Sequence, residues 1–254
     1  MRVFAVVVAG MAAILAGPCN LPGAEPGGPS VKPAADAPDE PSTPKPRDLG
    51  PPLVDQADAL RKLDRDSPVW LDPKQKEVVL LGEVCQPKYP LEFFATYPMR
   101  SYESILSVQV KPSTVHAALL ALGARPGHPA RLEPKFEAAS GSEISIEVRW
   151  KDKDGRRQQA RAQDWIRDVK TKKPMDLNWV FAGSALWRDE STGKSVYLAD
   201  SAGDFISVLN LPHAMLDLPI RSAGAINARL FEVFAERLPP AHTPVTVILK
   251  PVRK

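Results

Sequence analysis

Cysteine is nearly absent from this chain, which carries only Cys19 and Cys85 in 254 residues. That leaves one conceivable disulfide, and only where Cys19 is neither removed nor acylated. A lone thiol on a strand, as at Cys85, reads as a small buried hydrophobe rather than a nucleophile. Histidine is also scarce. His116, His128, His213 and His242 show no i, i+4 pair and no HExxH arrangement, so no zinc-binding helix is written in the sequence. A net charge of +3, evenly spread and with no basic patch interleaved with aromatics, excludes a nucleic-acid interface. The longest apolar run, Val3 to Leu15, is short for a bilayer span. Neither Glu103-Ser104 nor Gly183-Ser184 stands in the Gly-x-Ser-x-Gly elbow that exposes a hydrolase nucleophile.

What the chain has in excess is proline. Ten of its 27 prolines fall between Asn20 and Pro52, a stretch without one aromatic residue. Such a stretch buries too little apolar surface to offset its ordering entropy, which predicts a disordered spacer over 20–52. Arg2 and the run after it predict a secretory signal over residues 1–19. Leu15-Ala16-Gly17-Pro18-Cys19 resembles a lipobox, with Pro18 where a small residue normally precedes the lipidated cysteine. The alternatives are acylation of Cys19 or ordinary cleavage between Ala16 and Ala24. Either way the chain is expected to be exported, to the periplasm or outer envelope. Its contact with a membrane is then confined to the N-terminal signal or lipid.

All tryptophans and tyrosines, and every Phe except Phe4, lie beyond residue 69, so the core must form there. Leu53 to Leu63 suggests a short lead-in helix within 53–69, and the globular domain is expected over 70–254. Its organising stretch is Glu103 to Gly123. Leu106, Val108 and Val110 alternate as in a strand, and Lys111-Pro112 stops it. Ser113 or Thr114 caps a helix with Val115, Ala118, Leu119 and Leu122 on one face. Further strands are predicted at Lys76 to Val84 with a bulge at Gly82, and at Leu91 to Ala95, making an antiparallel meander with Ile105 to Val110. Glu143 to Trp150 alternates cleanly into an Asp152–Gly155 hairpin turn. Asp152 and Asp154 lack the remaining ligands of a calcium loop, position twelve being Gln163. Strand pieces follow at Trp179 to Phe181, Ala185 to Trp187, Val196 to Ala199 and Phe205 to Leu209. A helix over Ile226 to Arg237 and a closing strand at Val245 to Leu249 complete the list. The pattern predicts an α+β fold, a largely antiparallel sheet with two or three packed helices, as a single domain after the linker.

The segments LEFFA, ESIL, VHAALLALGARPGHP, QDWI, WVFAGSALW, YLAD and AMLDLP, in this order over about Lys74 to Pro251, resemble the YdjY-type domain of exported bacterial proteins. The resemblance implies the domain boundary and export, and no established activity. Some members carry a histidine where this chain has Tyr102, so a metal or acid-base role resting on it is not carried over. An iron–sulfur cluster, a label attached to some relatives, needs about four thiolates, more than this chain owns.

The polar residues Asp200, Asp204, Ser207, Asn210, His213 and Asp217 fall where strands leave the sheet, and of these Asp200, Asp204, Asn210 and His213, with Glu103, are the candidate ligand-binding set. The competing interpretation is turn and cap chemistry. His116 reads as a half-buried structural residue. No catalytic residue, metal or cofactor is assigned. The expected function is an exported, tethered envelope module that binds an envelope protein or a small polar ligand such as a sugar or cation. The alternatives are an extracytoplasmic hydrolase or metal-assisted enzyme using Glu103, Asp200 or His213, and a purely structural envelope protein.

Overall fold

The strand predicted at Lys76–Val84 forms over Glu77–Val84 (β1), and it is the seam on which the fold closes. The computed structural model describes residues 47–222 and 229–252. The signal, the lipobox at Cys19 and most of the proline-rich spacer lie outside the described residues. After β1 come β2 (Phe93–Thr96), β3 (Ser104–Val108), α1 (Pro112–Ala121) and β4 (Glu143–Lys151). Then follow β5 (Trp179–Phe181), α2 (Leu198–Ala202), β6 (Ile206–Ser207), β7 (Leu216–Asp217) and β8 (Pro244–Pro251). Hydrogen bonding runs β1-β8-β4-β5-β7-β6-β2-β3, and β3 pairs back onto β1. The result is a closed, eight-stranded β-barrel.

This overturns the α+β expectation with its packed helices. The structure is mostly strand, and α1 is the one helix of length among the described residues. The helix expected over Ile226–Arg237 is absent where it is described. Phe231–Val233 is instead a strand paired with Ile166–Asp168, and Ala235–Arg237 is a single 3-10 turn. Residues 226–228 lie outside the description. Leu230 and Val233 do pack against the core, but from an extended segment, whereas Phe234 lies under the guanidinium groups of Arg167 and Arg237. The lead-in helix reduces to a 3-10 turn, Ala57–Ala59, before Arg61–Lys62 pairs with Trp70–Leu71. The strand expected at Val196–Ala199 ends at Tyr197, where α2 begins.

Gly82 is not a bulge. The β1–β8 register runs unbroken from Val78 to Glu83, while across the seam a Cβ at position 82 would stand 2.7 Å from Ser107 O and 2.8 Å from Val108 Cγ1. Closure therefore needs glycine there. The meander is corrected as well: β2 and β3 are parallel, as are β6 and β7, and the other six contacts of the ring are antiparallel. Parallel neighbours usually need a crossover of about a dozen residues or more. Here the short link Tyr97–Glu103, mostly 3-10 helix, brings the chain back.

The predicted β4 and its Asp152 turn hold. Ile144, Ile146 and Val148 point into the core, and Asp152 accepts hydrogen bonds from the backbone of Asp154 and Arg156 and from Gln158. The interior is filled with aromatics. Trp150, Trp165, Phe94 and Trp179 stand in a chain with ring centroids 5.3, 6.4 and 5.6 Å apart. Trp179 Nε1 donates to Ser207 O at 2.7 Å, so the buried indole is satisfied. An eight-stranded barrel has room for side chains or one small ligand, and here side chains take the space.

Candidate functional site

The link between β2 and β3 turns on Arg100. Its Nε donates to Glu103 Oε1 at 2.6 Å, Nη1 to Asp204 Oδ1 at 2.8 Å and to Ala202 O at 3.1 Å, and Nη2 to Glu92 Oε2 at 3.2 Å. The guanidinium also stacks over Phe93, with Cζ 4.3 Å from the ring centroid. Three carboxylates converge on Arg100 in a half-buried setting, and Arg229 acts on Glu92 from beyond the cluster. Burial, reinforced by the charge of Glu103, pushes the Glu92 carboxyl up. Asp204 is pushed up chiefly by burial, against the pull of Arg100 and His213. The Nδ1 of His213 is buried with no partner among the described residues. Beside this cluster Tyr89, Met99 and Tyr102 are exposed, and the two tyrosines meet edge-on at 5.5 Å.

The other predicted residues go elsewhere. Asp200 accepts hydrogen bonds from Ser113 N at 2.8 Å and Ser113 Oγ at 2.6 Å. It thereby caps α1 from α2, a role the sequence had suggested for Ser113 or Thr114 themselves. Asn210 bonds Asp217 Oδ1 at 2.9 Å, Leu218 O at 3.2 Å and Ser222 N at 2.7 Å, a buried lock between segments. Ser207 is buried in β6. So the structure brings Glu103, Asp204 and His213 together and separates Asp200 and Asn210 from them.

Arg100 and Glu92 were missed from the sequence. The usable signal was small: Arg100 stands three residues before Glu103, and Glu92 and Glu103 each sit at the entry of an apolar strand. Only the parallel pairing of β2 with β3, with Glu92 N donating to Glu103 O, makes them neighbours.

A second polar group surrounds the Gly183-Ser184 turn, where both residues have positive φ, 86° and 56°. Tyr197 donates from its hydroxyl to Gly183 O at 3.0 Å and lies 2.9 Å from His116 Nδ1. Since that hydroxyl proton goes to a carbonyl, Nδ1 of His116 must be the donor to the Tyr197 oxygen. Burial depresses the His116 pKa and raises that of Tyr197. The chain of donors ends on a backbone acceptor, so it offers Ser184 no base. Cys85 is no nucleophile either, since burial pushes its thiol up to about 12. Among the described residues no group of three His, Cys, Asp or Glu side chains is placed to hold a metal.

The model of the YdjY domain matches residues 69–250, most of the chain and nearly all of the barrel. The chain belongs to the YdjY domain family. No curated protein and no solved structure matches it. Within this YdjY domain the segments that carried the resemblance supply the polar groups described above: LEFFA gives Glu92 and Phe93, ESIL gives Glu103, and YLAD gives Tyr197 and Asp200. WVFAGSALW adds Ser184 and Ala185, which with Pro212 and residues 128–133 line a surface cleft of about 490 Å³.

Proposed function

We propose that this YdjY domain is an exported, envelope-tethered binding module without catalytic chemistry, and that the Arg100 cluster with its tyrosine rim engages a cationic partner. The observation that carries the ligand class is the charge balance at Arg100, where three carboxylates converge on one guanidinium, with Arg229 also acting on Glu92, and burial pushes two of them up in pKa. A cation arriving there meets those carboxylates, and the exposed Tyr89, Met99 and Tyr102 offer apolar and π surface beside it. The positive, apolar N-terminal run and the proline-rich stretch after it support export and tethering.

Fractionation of producing cells with mass spectrometry of the mature N-terminus tests the address; an intact chain in the cytosol overturns it. Thermal-shift titration with Ca2+, Zn2+, amino sugars and a lysine-rich peptide tests the ligand class. Stabilisation by at least one of these, lost in Glu92→Gln, is the expected outcome. Silence across the panel removes the cluster as a binding site.

A further inference from the structure

Of the five tryptophans, four are buried or half-buried, and Trp187 alone is exposed, at 53 %. It stands on a two-stranded ribbon, Leu186–Arg188 paired with Ser195–Tyr197, which forms a sheet of its own. The ribbon is held at both ends. At its base Leu198 N donates to Ala185 O at 2.9 Å, and the Tyr197 hydroxyl donates to Gly183 O at 3.0 Å. At its tip Asp189 accepts the hydroxyls of Ser191 and Thr192, each at 2.7 Å. A fixed frame thus presents the indole to water, and leaving it there forgoes the stabilisation that burial of so large an apolar ring would give.

The rung at the base also sets the side on which the ring lies. Ala185 and Trp187 are two residues apart in an extended segment, so their side chains share one face of the ribbon. Ala185 lines the cleft of about 490 Å³ that Ser184 and Pro212 share with His128 to Glu133. Trp187 therefore prolongs that wall outward. The remaining wall belongs to the loop between α1 and β4, whose stem pairs Pro126–His128 with Ser140–Gly141. Close backbone approach fixes the stem: a Cβ at Gly127 would meet Ser140 O at 2.3 Å, and one at Gly141 would meet Phe181 O at 2.0 Å. Beyond it Ala130 N donates to Asp217 Oδ2 at 3.1 Å, and Leu132 is 41 % exposed.

The polar groups of the cleft narrow the ligand class. His128 Nδ1 lies 2.9 Å from the carbonyl of Pro129, which can only accept, so Nδ1 carries the proton and Nε2 is an acceptor in the neutral ring. Arg131 donates from Nη1 to Glu137 Oε2 at 2.8 Å and keeps further N–H donors. Glu133 adds a carboxylate, and Ser184 a hydroxyl whose oxygen accepts from Ala199 N at 3.1 Å. Charges alternate along the loop, Arg131, Glu133, Lys135 and Glu137, and on the ribbon Arg188 and Lys194 are balanced by Asp189 and Glu190. No sign of charge prevails to select an ion. A wholly apolar ligand would strip water from Arg131 and Glu133 without replacing its hydrogen bonds. What fits is a neutral molecule whose hydroxyls both donate and accept and whose flat C–H face can lie on an indole. A pyranose ring has that chemistry.

We propose that the cleft between the 129–133 segment and the Trp187 ribbon binds an uncharged oligosaccharide, with one pyranose ring stacked on Trp187 and the next hydrogen-bonded by His128, Arg131 and Glu133. The site shares no residue with the Arg100 cluster, so either stands without the other.

Isothermal titration of the intact protein with cellohexaose, N-acetylated chitohexaose, laminarihexaose and maltohexaose tests this, with polygalacturonate and chitosan as charged controls. At least one neutral sugar is expected to bind with a Kd of about 1 mM or tighter. Its affinity is expected to be the same at low and high NaCl, because no ion pair forms. Trp187→Ala is expected to weaken binding by about tenfold or more, while Trp187→Tyr, which keeps a flat ring, retains most of it. Silence across the neutral panel, tighter binding of either charged polymer, binding untouched by Trp187→Ala, or an equal loss in Trp187→Tyr overturns the proposal. Should the variants not fold, NMR of the wild-type protein decides. The Trp187 indole N–H must shift during titration with the neutral hexasaccharides, and a resonance that stays in place overturns the stacking site.

Discussion

Arg100 earns its place by what its removal would leave behind. In Arg100→Ala, Glu92, Glu103 and Asp204 face one another with no cation between them, and Ala202 O loses a donor. Breaking a buried ion pair costs about 3–5 kcal/mol; with the Arg100 side chain 24 % exposed, roughly 2–3 kcal/mol is expected by urea denaturation at pH 7.5. The loss has a pH signature. Glu92 and Asp204 already have folded pKa values above the usual carboxylate range, and Arg100→Ala moves them further up. A raised carboxylate penalises the fold above its folded pKa and ceases to do so as pH falls to the unfolded value. The variant should thus recover most of its deficit between pH 7 and about pH 4; a deficit constant with pH would mean that packing over Phe93, not charge, is what Arg100 supplies. At this scale the sequence disclosed the members better than the assembly. Glu103, Asp204 and His213 could be named because polar residues at strand ends are visible in a string. Arg100 could not, since its partners lie 3, 8 and 104 positions away.

At the scale of elements, closure and capping are the tests. Gly82→Ala places a methyl against Ser107 O and Val108 Cγ1 where two strands meet, and the seam must open to admit it. A loss of about 1–3 kcal/mol is expected from overpacking, checked by guanidinium denaturation with a Gly155→Ala control. Gly155 has open space around it but a φ of 77°, so its cost reflects backbone strain alone. Asp200→Ala removes the acceptor for two groups at the start of α1 and should cost about 1 kcal/mol, with Asp200→Asn intermediate. β1, β4, β8 and α1 were legible because each is long enough to show its period. β6 was caught only as part of the longer run Phe205 to Leu209, and β7, at two residues, was not, since it owes its existence to neighbours rather than to any run of its own. The parallel return at Tyr97–Glu103 was hidden for a further reason: the chain normally needs a longer crossover, so a meander was the reasonable expectation.

The whole molecule departs most from its expected form. A sheet with helices packed on it and a sheet closed on itself share the same strand list, and differ only in whether the first strand meets the third after the last has joined. That single pairing, β1 with β3, is set by a glycine among valines and leucines and leaves no periodic trace. The start of the fold also lies upstream of the first tryptophan. Leu53 N donates to Thr246 Oγ1 at 2.8 Å, Arg149 reaches Leu53 O at 3.4 Å, and Arg47 pairs with Glu83 at 3.4 Å. Limited proteolysis of the protein is therefore expected to leave a resistant fragment beginning near Arg47. A fragment trimmed to Trp70 with unchanged thermal stability would show that residues 47–69 add nothing.

A ring of strands that shuts on itself keeps nearly every backbone donor and acceptor of its wall engaged. The strand pieces left at its margin, Arg61–Lys62 and Arg157–Arg161, are short and carry arginine or lysine, which repels an approaching copy. Copies crowded together on one surface would thus meet along the barrel wall through side chains alone, the free edges among the described residues being those margin pieces and short two-stranded ribbons such as Leu186–Arg188 with Ser195–Tyr197.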